Sequence, residues 1–392
     1  MNVESLKVTV MDGIDITNLC TDITLFESIN GYVKGSVQVL DGINFYDEVF
    51  GILDDLWTIQ ISFVYEEKEC TNDFFINGVH NMKIKKSEKE YVMNLISPVE
   101  QALKLYKLNE VYSGTSHEIV GNIFTECTGP ASKLIINTPA ISKGKYIVPN
   151  ISARQAIANV VNAAIDADNT GFYFFQRLFE DGVTRLMSLR FMATNFFLSS
   201  GGNKIKIYNY IPKAGNPHIN NQGSCNTFIQ DEYKMNYIEK LAQGNWGNKI
   251  HHVLLDKTKV IKNEPIEQTI NEITQYKISD KLYDINEIAD VPAGKITRYQ
   301  QKSLFSNIYE PNDVASINMK KRLLNVVLKA KKIVPIGGIG CGLSINVEMG
   351  EGDKSRAIGD GNYVIADINH IFSWEGNGYN YQQDMTLIRE MA

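Results

Sequence analysis

The feature that most constrains this chain is a strand pattern that occurs twice, far apart in the sequence. Apolar and polar residues alternate through residues 57–63, and the same alternation recurs in residues 343–349. A polar loop follows each segment and leads to residues 74–82 and 363–371, which align residue for residue. Alternation with a period of two is typical of half-buried antiparallel strands. The sequence therefore predicts two similar antiparallel β-regions.

A third strand extends the repeat, because residues 91–96 and 384–389 each follow a hairpin tip. Two unrelated antiparallel meanders could share this order, so the repeat stands as a hypothesis. If it is real, three chains in a ring would present six similar β-domains, which gives pseudo-sixfold symmetry from a threefold assembly.

The middle of the chain has a different residue pattern, with predicted helices between the β-regions. Residues 116–127 are predicted to form a helix, and a second helix begins at Ser152, where Gln155 completes a capping box. Aromatic-rich strands are expected at residues 171–179 and 186–197, and a further helix from Asn312 to about Val327. The predicted domains are a first tube-like β-domain (1–107), an α+β insertion (108–224), the start of a second tube-like β-domain (225–258), an insertion with a helical excursion (259–324) and the remainder of the second β-domain (325–392).

Composition limits the class of protein. The 392 residues are 44% hydrophobic and 21% charged, as in an ordinary globular protein. A net charge of −6 argues against a nucleic-acid-binding protein, which usually carries a basic face. The sequence contains no run of about 18 apolar residues, so it predicts no membrane span. Residues 1–5 do not resemble a signal peptide, and we therefore expect the chain to fold in a cytoplasm. The five cysteines lack CxxC spacing, which predicts reduced, buried thiols.

Several segments resemble the baseplate hub proteins of contractile-tailed phages, which are related to the N-terminal region of the valine-glycine repeat spike proteins of type VI secretion. Residues 22–26 and 32–41 resemble the opening strands of that family, and residues 152–175 resemble the helix and strand of its α+β domain. Residues 361–370 and 385–389 resemble its last hairpin. The order and spacing of these segments carry the resemblance, since none is a sharp motif by itself.

The resemblance implies an α+β fold, predominantly antiparallel β, in which two similar tube-type β-domains and an α+β insertion form a trimeric ring with pseudo-sixfold symmetry. It implies a structural adaptor between a hexameric tail tube and a trimeric central spike, located in the baseplate of the virion and assembled in the host cytoplasm. The expected partners are two further copies of the chain, tail tube or tube-initiator proteins, a separate spike protein, a tape-measure protein, and DNA only in transit through the lumen. No membrane binding is expected.

Residues at the contacts of such a ring are expected in an exposed acidic loop near residues 41–55 and in two hairpin tips, at residues 85–89 and 375–378. The interface candidates in these segments are Asp41, Phe45, Asp54, Asp55, Lys85, Lys86, Lys89, Glu375 and Tyr379.

Motifs of enzymes are weak in this sequence. The glycine-rich residues 336–342 precede a strand instead of the helix that a phosphate cradle needs, so a tight loop between strands is the better interpretation. No constellation of nucleophile and base stands in a recognisable context. We therefore predict no catalytic, cofactor-binding or metal-binding residues. The main alternative is a receptor- or carbohydrate-binding tail protein, which the 19 tyrosines would suit.

Overall fold

The structure is a computed structural model, and it describes fourteen stretches of the chain. They are residues 3–11, 13–49, 57–85, 88–129, 132–167, 170–180, 182–197, 206–209, 223–231, 248–255, 261–267, 296–301, 324–348 and 361–390. None of the helices in these stretches is long and apolar enough to cross a membrane.

The first β-unit is a curled antiparallel sheet. Its elements are β1 (Ser5–Val10), β2 (Ile14–Asp15), β3 (Cys20–Ser28), β4 (Lys34–Asp41), the short helix α1 (Phe45–Val49), β5 (Thr58–Tyr65), β6 (Lys68–Lys85) and β7 (Glu88–Ile96). The strands lie in the order β2-β1-β5-β6-β7-β4-β3. Alternate residues such as Val8, Val37 and Ile61 are fully buried in one core. The alternation in the sequence thus produces the half-buried strands that it predicts.

An α+β segment follows the first unit. Its elements are α2 (Pro98–Leu105), β8 (Lys107–Leu108), β9 (Val111–Thr115), α3 (Ser116–Thr128), β10 (Leu134–Ile136), β11 (Lys143–Ile147), β12 (Ile151–Ser152), α4 (Ala153–Ala163), β13 (Phe172–Gln176), β14 (Thr184–Ser188) and α5 (Leu189–Thr194). The two predicted helices, α3 and α4, are confirmed, and the Ser152 hydroxyl accepts a hydrogen bond from the backbone N–H of Gln155, as an N-cap does.

The strand β13 is buried on both faces. Phe172 and Phe174 pack with the helices α3 and α4, whereas Tyr173 and Phe175 point the other way and pack against residues of the second β-unit. A strand covered on both sides loses polar alternation, which explains the unbroken aromatic run. It also makes β13 the layer that joins the α+β segment to the rest of the molecule.

The second β-unit is a closed ring of six strands. The chain from residue 206 supplies β15 (Lys206–Asn209), β16 (Ser224–Asp231), β17 (Asn248–Leu255), β18 (Ile261–Glu267), β19 (Ile296–Gln301), β20 (Leu324–Ile333), β21 (Ser344–Glu348), β22 (Gly361–Trp374) and β23 (Tyr379–Glu390). The ring follows the order β15-β21-β22-β23-β20-β16 and closes where β16 pairs with β15. The strands β17, β18 and β19 form a separate sheet.

The two units share one strand order. The strands β1, β5, β6, β7, β4 and β3 of the first unit correspond to β15, β21, β22, β23, β20 and β16 of the second. The central strands even carry a bulge at the same place, Asn77 in β6 and Ala366 in β22. The predicted alignment of β5 with β21 is therefore confirmed, and that of β6 with β22 is confirmed up to His80, after which a further bulge at Asn81 shifts it by one residue. One strand departs from the repeat, because β15 runs parallel to β21 whereas β1 runs antiparallel to β5.

The two units are joined edge to edge. The strand β3 of the first unit pairs antiparallel with residues 367–373 of β22, so that both units belong to one sheet of thirteen strands. The fold is therefore α+β and predominantly antiparallel.

Three sequence predictions need correction. Residues 186–197 are not one strand, because Ser188 caps the helix α5 through the backbone N–H of Phe191. The end of the helix predicted from Asn312 is wrong, since residues 324–327 begin β20, while residues 302–323 lie outside the described stretches. In the third strand of the repeat, the alignment is off by one residue, because Ile96 corresponds to Ile388.

Candidate assembly surface and buried junction

The first part of the predicted acidic loop is folded inward. Asp41 is buried, and its carboxylate accepts hydrogen bonds from the backbone N–H groups of Ile43, Phe45 and Tyr46 at 3.2, 2.9 and 2.8 Å. These bonds fix the start of the helix α1, and they place the Phe45 ring in the core of the first unit. The expectation that Asp41 and Phe45 are exposed is therefore wrong. Asp54 and Asp55 lie outside the described residues.

The two predicted hairpin tips are equivalent turns of the two units, between β6 and β7 and between β22 and β23. Lys89 lies opposite Asp41 in the β4–β7 ladder, and its ammonium forms an ion pair with Asp47. Lys85 ends β6, but its side chain and Lys86 lie outside what the structure describes.

At the second tip, Glu375 is exposed and accepts a hydrogen bond from the Asn380 side chain at 2.9 Å. Tyr379 is buried, because its hydroxyl lies 2.8 and 2.7 Å from the carbonyl oxygens of Thr17 and Cys20. Tyr379 thus ties the second unit to the first instead of facing outward, which corrects the expectation for this residue. Whether the other candidates form contacts between subunits stays a prediction.

An exposed apolar pair that the sequence reasoning missed, Met82 and Ile84, lies beside the first tip. Leu40, Ile43, Met82 and Ile84 are 44%, 65%, 39% and 67% exposed. The ladders place Leu40 on the face of Glu90 and Lys83, whereas Ile84 pairs with Lys89 on the opposite face. A signal for it was present, since residues 82–85 keep strand alternation with an apolar residue on one face and lysine on the other. Exposed apolar clusters often mark contact surfaces.

A buried polar network crosses the junction between the two units. The Tyr381 hydroxyl accepts a hydrogen bond from Gln383 at 2.9 Å and lies 2.7 Å from His370 Nδ1. Burial raises the pKa of Tyr381 well above its usual value, so the hydroxyl stays protonated. The other nitrogen, Nε2, faces Glu27 Oε1 at 3.4 Å, and Glu27 Oε2 accepts a bond from the Leu178 N–H at 2.9 Å.

This network joins three parts of the chain, because Glu27 belongs to the first unit, His370 to the second and Leu178 to the α+β segment. The side chains of Glu27, His370 and Tyr381 have no exposed surface. A substrate cannot reach them without unfolding the junction. The arrangement therefore works as a structural link and not as an acid–base site.

The glycine-rich loop lies at the same junction. The Arg177 guanidinium donates to the carbonyl of Cys341 at 2.7 Å. Gly342 has a φ of +72°, and a Cβ built there would lie 2.5 Å from the ring of Phe175 and 3.1 Å from Met192 Sδ. The glycines allow this loop to lie against the α+β segment, which confirms that it is a tight connection before a strand.

A second junction links the first unit to the α+β segment through a buried carboxylate. Glu100 has no exposed surface, and its Oε1 lies 3.1, 3.4 and 3.9 Å from the cationic groups of Lys104, Arg154 and Lys34. A cavity of about 470 Å³ adjoins it, lined mainly by apolar and aromatic residues of α4, β13 and the β3–β4 turn. Among its described lining residues, Arg154 alone is charged, so the cavity lacks an acid–base pair.

The described stretches contain no group of three or more His, Cys, Asp or Glu side chains placed to hold a metal ion. No protein-family model matches the sequence, and no curated protein matches it.

Solved structures do match over almost the whole chain. A 43 kDa tail protein of the prophage MuSo2 from Shewanella oneidensis has a TM-score of 0.58 at 10% identity and covers 98% of both chains. The tail protein from Neisseria meningitidis MC58 has a TM-score of 0.56 at 8% identity and covers 98% of this chain and 97% of its own. This chain has the fold of a phage tail protein.

A third similar structure is the E. coli c3393 protein, described as a component of the type VI secretion system with structural similarity to the T4 tail proteins gp27 and gp5. Its TM-score is 0.48 at 12% identity, and the match covers 98% of this chain and 77% of that protein. Of these three structures, the two tail proteins are similar enough to establish the fold. The resemblance to phage tail proteins that the sequence segments predicted is confirmed at that level.

Proposed function

We propose that this chain is the baseplate hub of a contractile phage-type tail, a ring of three copies that joins a hexameric tail tube to a trimeric central spike. The observation that carries the proposal is the internal repeat, in which two β-units share one strand order and one bulge position. Three chains supply six such units. A ring of this kind can offer near-sixfold contacts to the tube on one side and threefold contacts to the spike on the other.

The fold of the two tail proteins supports a role in a tail, because both match this chain from end to end. The tube or a tube initiator, the spike and the tape-measure protein are the partners in this proposal, and the virion baseplate is the location. We assign the chain no catalytic step; among the described residues, the Glu27–His370–Tyr381 network has no exposed surface.

The charge of the chain suits a lumen through which DNA passes. Three copies carry three times the net charge of −6, and a negative wall does not retain a polyanion. A ring whose bore-facing acidic residues are replaced by lysine should slow DNA ejection. Unchanged ejection would remove this part of the proposal.

The first test is the mass of the purified chain by light scattering on a size-exclusion column. A mass of about 132 kDa, three times the 44.1 kDa of one chain, is the expected result. Electron microscopy of that species should then show a ring with a central channel. A stable monomer at every concentration would contradict a self-assembling ring, and glycan binding by that monomer would favour the receptor-binding alternative.

A further inference from the structure

The central strand of the second unit is covered on both edges. Residues 361–364 of β22 pair with β21, and residues 367–373 pair on the same edge with β3 of the first unit. The strand β23 covers the opposite edge. Residues 367–373 of β22 are therefore paired on both sides.

The corresponding strand of the first unit is covered only in part. Residues 68–75 of β6 pair with β5, and β7 covers the opposite edge from residue 75 to residue 85. Through the shared bulge, residues 78–85 correspond to residues 367–373, with one further bulge at Asn81. No strand in the described stretches pairs with the outer edge of residues 78–85. This segment is called the open edge below.

Burial differs accordingly between the two segments. Ile368, His370 and Phe372 have no exposed surface, and Phe372 lies in the core of the first unit while Ile368 lies in that of the second. In the open edge, Met82 is 39% exposed and Ile84 is 67% exposed. The open edge thus lacks the cover that its counterpart has, and it exposes apolar side chains where that cover would lie.

The strand that would supply the cover is present in the second unit. The counterpart of β3 is β16, which pairs with β20 through residues 225–231. On its other side, β15 pairs only with Ser224 and Cys225. From residue 226 onward, that side of β16 has no partner strand among the described residues. Each chain therefore carries one open edge and one strand that matches it.

The two cannot meet within one chain. Six strands separate β6 from β16 along the sheet, namely β7, β4, β3, β22, β21 and β15. A second copy of the chain is the partner that presents β16 in the required orientation. Repeated from copy to copy, such a contact is head-to-tail, and it gives a ring when the rotation closes.

We propose that β16 of one copy adds antiparallel to the open edge of the next copy, in the register that β3 adopts on β22. Carried through the strand equivalences, this register places Asp231 opposite His80 and Phe228 opposite Ile84. The pairing rests on the proposed ring and names the surface that builds it. Lys83 and the bulge at Asn81 disfavour pairing with unrelated strands, as such features do on natural sheet edges.

The test is a disulfide between copies. In a Cys127→Ser background, Ile84→Cys is combined with Phe228→Cys, since opposite residues in a ladder lie about 4.5–5.5 Å apart and within disulfide range. The matched control combines Ile84→Cys with Thr227→Cys, because a shift of one residue turns the side chain to the other face. Mass and non-reducing gel mobility are measured for both after mild oxidation.

We expect covalent dimers and trimers for the Ile84→Cys/Phe228→Cys pair. The control pair should give at least tenfold less cross-linked product. A trimer of about 132 kDa that cross-links equally poorly in both pairs would overturn this pairing and leave the proposed ring intact. A monomer for the parent protein at every concentration would overturn both.

Hydrogen exchange on the unsubstituted protein gives a readout that does not depend on the variants folding. Amides on the outer side of residues 78–85 and of residues 226–231 should exchange at least tenfold more slowly in the assembled species than in a diluted monomer. Equal exchange in the two species would contradict the pairing.

Discussion

Gly342 is the position where a single methyl group should disturb the junction most clearly. It begins the connection into β21, with a φ of +72°. A methyl group there would meet the Phe175 ring at 2.5 Å and Met192 Sδ at 3.1 Å. Real Cβ atoms do not approach other atoms so closely, so Gly342→Ala forces the ring or the loop to move.

The cost has two parts. An L-residue in left-handed backbone loses about 1–2 kcal/mol relative to glycine. Inserting a methyl group into a packed interior costs about 1–3 kcal/mol more, since neighbours leave their preferred rotamers. Gly342→Ala should therefore lower the free energy of unfolding by about 2–5 kcal/mol.

Gly376→Ala is the matched control. Gly376 has a φ of +76°, but no atom lies within 4 Å of a Cβ built there. This variant should lose only the backbone part, about 1–2 kcal/mol. Urea unfolding, followed by fluorescence and circular dichroism, measures both variants beside the parent protein.

The difference between the two variants isolates the packing at the junction. If Gly342→Ala unfolds at the same urea concentration as Gly376→Ala, Phe175 and Met192 do not pack tightly on the loop. The described contact between the second β-unit and the α+β segment would then be wrong.

Three further outcomes follow from buried groups. Glu27→Ala should lower stability by about 1–3 kcal/mol in urea unfolding, because the Leu178 N–H loses its acceptor; no loss would show that water replaces the carboxylate. Ser152→Ala should cost about 1 kcal/mol by removing the cap of α4, and Ser152→Asp should restore it. Burial raises the pKa of Cys20 to about 12, so native protein at pH 8 should resist thiol labelling there until urea is added; rapid native labelling of Cys20 would contradict its burial.

The strand repeat was predictable because alternation reports directly which face of a strand is buried. The alignment of residues 74–80 with 363–369 held to the residue, since both strands keep the same bulge, whereas the extra residue at Asn81 shifts the alignment after it. The third strand shifted by one because hairpin tips of different length separate it from the second. An alignment of the two sequences does not show how many residues each hairpin tip contains.

The site was less predictable than the fold. Because Asp41 is charged, the sequence predicted it at the surface. In the structure its buried carboxylate accepts hydrogen bonds from three backbone N–H groups. Tyr379 is held by carbonyls of residues that are distant in sequence. The open edge is defined by the absence of a neighbouring strand among the described residues, and that absence is visible only in the strand pairing of the structure.

The seam between β3 and β22 has a consequence for how the chain is made. Glu27 and His370, which meet there, are 343 residues apart. At a synthesis rate of about 5–20 residues per second, β3 waits roughly 20–70 s on the ribosome before β22 exists. During that time its unpaired outer edge is exposed to other nascent chains. Production of this protein should therefore depend on chaperones that hold early strands apart, and slower translation should increase aggregation.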